Sequence, residues 1–238
     1  MPPTDLLVLA GGFGTRLRSV VAAVPKPLAP VCDRPYLHYV IDRWREQGIV
    51  SFIFLLHHQA ELIEDYLQSQ QLSGRLGQCQ VRTVTEPEPL GTGGAIAHAV
   101  RQLRIEGSFL VANADTWLGS GIDQVVAAGA PAMAVVRLDN PERYGRVHWE
   151  RGKVISFAEK SGGGEPGWIN AGLYHLQAAH FQDWDGRPFS AERDLFPALV
   201  RAGQLQAVEL QTEFIDIGIP ADYSRFCRWI EAGKAGRP

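Results

Sequence analysis

Residues 9–31, LAGGFGTRLRSVVAAVPKPLAPV, decide how this chain is read. The apolar run at residues 6–10 predicts a short strand that enters a glycine-rich loop directly. Gly11, Gly12 and Gly14 carry no side chains, so backbone N–H groups there can close on a polyphosphate. Arg16 and Lys26 add fixed positive charge beside it. Pro25 and Pro27 hold the lysine segment extended, because proline fixes its own φ and restricts the residue before it. Together these residues suit the grip of a nucleoside triphosphate. Two other phosphate loops are excluded. A dinucleotide fingerprint needs a glycine three residues after Gly14, where Leu17 stands. A P-loop needs a closing Gly-Lys-Ser/Thr, which the stretch lacks.

The 238 residues suffice for one large α/β domain with a full core. A net charge of −3 opposes a nucleic-acid surface, which needs a basic face. Cys32, Cys79 and Cys227 are widely spaced and suit a reducing compartment rather than a disulfide framework. No Cys/His spacing matches a zinc site, and His57-His58 reads as a solvated loop pair. No basic segment precedes a long apolar run, and no apolar run reaches membrane-spanning length. The expectation is a cytoplasmic protein without membrane or nucleic-acid partners.

Strand and helix patterns alternate through the first half. Leu37, Val40, Ile41 and Trp44 recur at helical spacing between Pro35 and Gly48. Residues 51–56 read as a strand buried on both faces, 59–70 as a helix, 78–85 as a strand, 92–103 as a helix and 109–112 as a strand. Such βαβ repetition implies a mainly parallel sheet with helices on both faces, and ligands beyond the carboxyl ends of its strands. In the second half, residues 133–138, 145–150, 154–159 and 169–176 read as shorter strands, with a turn at Gly152-Lys153. Residues 161–167 form a Gly-rich loop, for which a lid motion is left open. Ser190 opens a helix to residue 202, 205–210 is a late strand and 221–232 a closing helix. No hexapeptide repeat is present.

The loop with its Pro-Lys-Pro resembles the signature of the sugar-1-phosphate nucleotidyltransferases. Further pieces follow in family order. They are Glu88-Pro89-Leu90-Gly91-Thr92-Gly93-Gly94-Ala95, Asn113-Ala114-Asp115, Tyr144-Gly145, Glu159-Lys160, Asn170-Ala171-Gly172 and Phe214-Ile215-Asp216-Ile217-Gly218. The resemblance implies a Rossmann-like, three-layer α/β/α nucleotidyltransferase (GT-A-like) fold with a mixed, mainly parallel central sheet. It implies a single catalytic domain over residues 1–238, with a nucleotide-binding half to about 118 and a sugar-phosphate half from about 119. The implied reaction is attack by a sugar-1-phosphate oxygen on the α-phosphate of a nucleoside triphosphate, releasing pyrophosphate. Positioning and charge neutralisation dominate such chemistry.

By this resemblance Asp115 and Asp216 hold a catalytic Mg²⁺, an ion that takes one or two carboxylates plus phosphate oxygens. Read alone, Asp115 could instead cap a helix and Asp216 could be a turn residue. Ala10, Gly11, Gly12, Gly14, Thr15, Arg16 and Lys26 fall to the triphosphate. Arg16 meets the β,γ-phosphates and Lys26 the α-phosphate, where preset charge does most of the catalysis. Arg16, Lys26 and Asp115 are the catalytic set. Gly91, Thr92 and Gly93 edge the base pocket, with Thr92 suited to cap the following helix. Glu88 matches the N1–H and N2 donors of guanine, and Glu86 is equally placed. Asn113, Tyr144, Gly145, Glu159, Lys160, Asn170 and Asp216 fall to the sugar phosphate.

Arg18-Ser19-Val20 stands where many hexose enzymes carry Pro-Leu-Thr, and the spellings LGTGGAI and FIDIGIPADY look most like the D-glycero-D-manno-heptose 1-phosphate guanylyltransferases. GTP is the favoured nucleotide on this reading. Mannose-1-phosphate guanylyltransferase, N-acetylmuramate-1-phosphate uridylyltransferase, and glucose-1-phosphate thymidylyl- or cytidylyltransferase are the neighbouring readings. A non-catalytic sugar-nucleotide-binding regulator is the reading from another class, opposed by the presence of every charged site residue. Ala114 departs from the usual glycine between Asn and Asp. A homo-oligomer is left open.

Overall fold

A computed structural model describes residues 4–17, 19–21, 23–158 and 165–233. The chain begins with β1 (Leu6–Leu9), a 3₁₀ turn (Lys26–Leu28), β2 (Pro30–Val31) and β3 (Arg34–Pro35). Then come α1 (Tyr36–Glu46), β4 (Ser51–Leu56), α2 (Ala60–Leu72), β5 (Gln80–Thr85), α3 (Gly91–Leu103), β6 (Ser108–Asn113), β7 (Thr116–Leu118) and α4 (Ile122–Ala127). Strands β8 (Ala132–Leu138), β9 (Arg146–Glu150), β10 (Lys153–Ala158) and β11 (Gly167–Gln177) follow. A π turn (Ala191–Leu195) then runs into α5 (Phe196–Arg201), before β12 (Gln206–Glu209), β13 (Phe214–Asp216) and α6 (Pro220–Glu231). These elements form two compact units. One contains Met1–Thr85, Asn113–Gly119 and Glu213–Pro238; the other contains Glu86–Ala112 and Ser120–Thr212.

In the first unit β1, β4 and β5 pair in parallel, with Leu6 opposite Phe52 and Leu56 opposite Thr85. All six residues of β4 are buried, as its unbroken apolar run requires of a strand covered on both faces. Helix α1 buries Leu37, Val40, Ile41 and Trp44, the face set by their spacing, together with Tyr36. A separate antiparallel ribbon joins β7 to β13, placing Asp216 opposite Thr116. Helix α6 carries Phe226 into an aromatic cluster, with ring centroids 4.8 Å from Tyr36 and 5.5 Å from Trp117.

The second unit is built on a mixed set of strands. Strand β11 runs antiparallel to both β6 and β8, β12 runs parallel to β8, and β10 is antiparallel to β12 and β9. Hairpin pairing of Glu150 with Lys153 leaves Arg151 and Gly152 as the two-residue loop, at φ 49° and 76°. Positive φ at both positions matches the twist of the flanking strands, so the turn sits one residue earlier than the Gly152-Lys153 reading. Ser190 does open its helix, accepting from the N–H of Arg193 at 3.2 Å, but the first turn is π rather than α.

Burial holds the imidazoles of His38, His175 and His180 below their ordinary value. His175 is 6% exposed, and its Nδ1 has no hydrogen-bond partner among the described residues. The unfolded chain therefore binds protons below about pH 6.5 that the folded chain refuses. Stability should fall as pH drops through that value, and His175→Gln should make the fall shallower. Urea midpoints between pH 8 and 5 for both proteins measure this; parallel curves would remove His175 from the account.

Candidate active site

The glycine loop continues β1 without a break, since Ala10 N–H bonds the carbonyl of Leu55 at 3.0 Å. Gly14, at φ 60°, adopts a conformation that a side chain would strain, and its α-carbon lies against Lys26: a Cβ there would sit 3.5 Å from Lys26 Cβ. Leu17 N–H closes the turn on Gly14 O at 3.0 Å. Gly12, Thr15 and Arg16 are exposed, and among the described residues nothing lies within 4 Å of a Cβ at Gly12. Phe13 packs on His57 and His58 at 5.9 and 5.1 Å. The histidine pair thus braces the loop instead of standing free in solvent. A cavity of about 220 Å³ opens beside Gly14 and Lys26, lined also by Phe13, Leu17, His58 and Gln59. It is smaller than the roughly 300–1,000 Å³ of ordinary ligand clefts.

The ribbon of β7 and β13 brings the two aspartates together. Asp115 occupies the turn before β7, and its carbonyl accepts from Ile217 N–H at 3.0 Å, next to Asp216 in β13. Lys26 Nζ lies 2.5 Å from Asp115 Oδ2, with only 12% of the lysine side chain exposed. Asp216 Oδ1 accepts from the N–H of Gly218 at 2.6 Å. A Cβ at Gly218 would fall 2.7 Å from that oxygen and 3.4 Å from Arg16 Nη2, so a side chain there would displace the carboxylate. Burial, and then the charge of Asp115, push the Asp216 carboxyl up to about 6; Lys26, the Gly218 N–H and Arg16 pull the other way. Two acids and two bases are therefore concentrated at the loop. Asn113, half-buried at the end of β6, belongs to the same unit.

Among the described residues no three His, Cys, Asp or Glu side chains converge as a metal cage. The donor set is two carboxylates, which suits a hard divalent cation that draws its remaining ligands from phosphates and water. A buried Tyr36 hydroxyl, without a hydrogen-bond partner among the described residues and in the electrostatic field of both carboxylates, fits the same use.

In the second unit the two glutamates separate. Glu86 is 8% exposed and accepts from Leu90 N–H at 2.8 Å, so it shapes its own loop. Glu88 is exposed. Thr92 does not cap α3. Its hydroxyl donates to Glu192 Oε2 at 2.5 Å and accepts from Ala191 N–H at 2.9 Å. The N–H groups of Gly93 and Gly94 both reach the carbonyl of Phe189, at 3.1 and 3.2 Å. A Cβ at Gly93 would lie 2.2 Å from the Phe189 ring, and one at Gly91 2.6 Å from the Phe189 carbonyl oxygen. These glycines admit a neighbouring loop as well as any ligand. Gly145 and Asn170 are brought together, Asn170 N–H bonding Gly145 O at 3.0 Å. The Asn170 side chain spans a bulge in β11, bonding Tyr174 Oη at 2.7 Å and the N–H of Gly172 at 3.0 Å. Tyr144 is half-buried under Arg143, whose Nη2 donates to its hydroxyl at 3.0 Å. Glu159 and Lys160, with residues 161–164 of the Gly-rich loop, lie outside the described residues.

A profile of the nucleotidyl transferase family matches residues 6–232. The chain belongs to that family. It is 34% identical, over 93% of its length and 96% of the relative's, to the D-glycero-alpha-D-manno-heptose 1-phosphate guanylyltransferase of Aneurinibacillus thermoaerophilus. It is 33% identical over 98% of its length to mannose-1-phosphate guanyltransferase beta-A of Xenopus laevis, of which it spans 66%. The crystal structure of HddC from Yersinia pseudotuberculosis complexed with GMP-PN superimposes with a TM-score of 0.83 and 32% identity, over 95% of this chain and 99% of that one. The fold is the Rossmann-like α/β fold of nucleotidyltransferases. Among the described residues no helix is long and apolar enough to cross a membrane.

Proposed function

We propose that the chain transfers a guanylyl group from GTP to a sugar 1-phosphate, with D-glycero-alpha-D-manno-heptose 1-phosphate as the sugar substrate. The convergence of Arg16, Lys26, Asp115 and Asp216 beside the glycine loop carries this reading. A phosphate oxygen of the sugar phosphate attacks the α-phosphorus, the bond to the bridging α,β-oxygen breaks, and pyrophosphate leaves. Mg²⁺ held by Asp115 and Asp216 would neutralise charge on the triphosphate. Lys26 exchanges Asp115 for the α-phosphate side, where negative charge develops, and Arg16 takes the β,γ-phosphates. Backbone N–H groups of residues 11–15 complete the triphosphate grip. Gly91 and Gly93 edge the base, Thr92 acts through its backbone, and Glu88 accepts the guanine donors. Asn113, Tyr144, Gly145, Glu159, Lys160 and Asn170 take the sugar phosphate. The spellings at residues 18–20, 90–96 and 214–223 and the likeness to HddC favour the heptose. Likeness to the Xenopus enzyme keeps mannose as the second reading. The free thiols Cys32, Cys79 and Cys227 agree with a reducing, cytoplasmic setting.

Pyrophosphate release with Mg²⁺, for GTP, UTP, dTTP, CTP and ATP against heptose, mannose, glucose and N-acetylmuramate 1-phosphates, tests the assignment. Turnover led by GTP with the heptose phosphate supports it. Another leading pair would replace the substrate while keeping the chemistry, and silence throughout would sink the activity. In the same assay Glu88→Gln should lower the preference for GTP over ATP by about 10-fold or more, since a site built around a ligand's N–H donors loses discrimination when its acceptor goes. Glu86→Gln should instead weaken folding. An unchanged nucleotide preference in Glu88→Gln would remove Glu88 from base recognition.

A further inference from the structure

Tyr36 begins α1, the first residue after β3. Its N–H bonds Ala29 O at 2.8 Å, and Ala29 N–H in turn bonds Lys26 O at 3.0 Å, so the tyrosine is tied to the segment that carries the site lysine. Its ring is wedged edge-on against Phe226 at 4.8 Å, and Phe226 is itself packed by Trp117 and Trp229. The residue is 0% exposed, and its hydroxyl has no hydrogen-bond partner among the described residues. Burial first, and then the negative charges of Asp115 and Asp216, push the phenol well above its ordinary value, so the O–H lies in the field of both carboxylates and stays protonated.

An unmet buried hydroxyl is destabilising, and phenylalanine would fill the same space without it. In this state neither carboxylate accepts from it. Asp115 is drawn to Lys26 at 2.5 Å and Asp216 to the Gly218 N–H at 2.6 Å. Thr116 Oγ1 donates to Asp115 Oδ1 at 3.4 Å, and once Lys26 turns to a phosphate Oδ2 loses its ammonium and the carboxylate is free to reorient. We infer that Tyr36 is a positioning residue of the acidic pair: its buried hydroxyl donates to Asp115 when Lys26 releases that carboxylate, and so fixes the orientation in which the pair receives a divalent cation. This rests on the reading of Asp115 and Asp216 as cation ligands. Donors behind metal ligands are commonly worth 10–100-fold in metal affinity.

Mn²⁺ titrated into the full chain with a non-hydrolysable GTP analogue, followed by electron paramagnetic resonance, tests the inference in wild type and Tyr36→Phe. Thermal midpoints of both proteins without metal are measured alongside. The expected result is an affinity about 10-fold weaker in Tyr36→Phe with a metal-free midpoint equal to or above wild type. Equal Mn²⁺ affinity in the two proteins would overturn the role of Tyr36 and leave the cation site standing. A metal-free midpoint that falls with the affinity would also overturn it, because the tyrosine would then be a packing residue. Absence of Mn²⁺ binding in wild type would overturn the cation reading itself, and this inference with it.

Discussion

Replacing Lys26 by methionine is expected to lower turnover by about 10²–10³-fold while tightening divalent-cation binding to the nucleotide-free protein by roughly 10-fold. The opposite signs follow from one contact. Lys26 Nζ sits 2.5 Å from Asp115 Oδ2, so the ammonium already neutralises the carboxylate that would otherwise attract a cation. Methionine keeps the length and packing of the stem and removes the charge. Asp115 then faces Asp216 with Arg16 as the remaining counter-charge named at the site, and the pair becomes a stronger cation trap. On the proposed reading turnover suffers because the same ammonium is the preset positive charge for the phosphate under attack. Without metal the variant should also be less stable, since two partly buried carboxylates repel one another. Added Mn²⁺ should restore the midpoint more in the variant than in wild type. Near-normal turnover would remove Lys26 from the chemistry; unchanged Mn²⁺ affinity would show that the lysine does not occupy the cation's place.

The parts of the site that could be read from sequence are those whose chemistry is local. Gly11, Gly12, Gly14, Arg16 and Lys26 lie within 16 residues of one another, and their types declare a phosphate grip without any long-range contact. Helix α1 and strand β4 were equally plain, because one apolar face or one unbroken apolar run fixes each. Pairing at a distance leaves no local pattern, and in the sequence only the family resemblance joins Asp115 to Asp216. Asp115 and Asp216 meet through β7 and β13, strands of three residues each, too short to leave a periodic trace. Gly91 and Gly93 suggest ligand approach, yet the atoms they make room for belong to Phe189, almost a hundred residues on. Thr92 has the residue type of a helix cap, but Glu192 and Ala191 outcompete the helix for its hydroxyl. Tyr36 sits one position outside the apolar stripe of α1 and carries no sequence signal that separates its hydroxyl from an ordinary core tyrosine.

Asp216→Asn should reduce turnover by about 10³-fold and yet stabilise the metal-free protein above pH 6 by about 1–2 kcal/mol. On the proposed reading turnover falls because one of two carboxylate ligands is lost, and an amide oxygen carries no charge to hold the cation. The gain in stability follows from the carboxyl's environment. Burial and the neighbouring Asp115 raise it to about 6, against an ordinary value near 4. Ionisation is thus penalised in the folded state more than in the unfolded one. Above pH 6 wild type bears the whole penalty. Between about 6 and 4 the folded protein holds a proton that the unfolded chain has released, so the penalty shrinks as pH falls, and below about 4 both states are neutral. The advantage of the asparagine should therefore be full at pH 8, smaller at pH 5 and gone near pH 3.5. Saturating Mg²⁺ with nucleotide should invert the order at pH 8, because ligand binding then stabilises wild type alone. Urea midpoints of the two proteins across that range, with and without ligand, measure all three steps. An asparagine variant less stable than wild type at pH 8 without metal would mean that Asp216 is held by its hydrogen bond to Gly218 more strongly than burial and Asp115 oppose its charge.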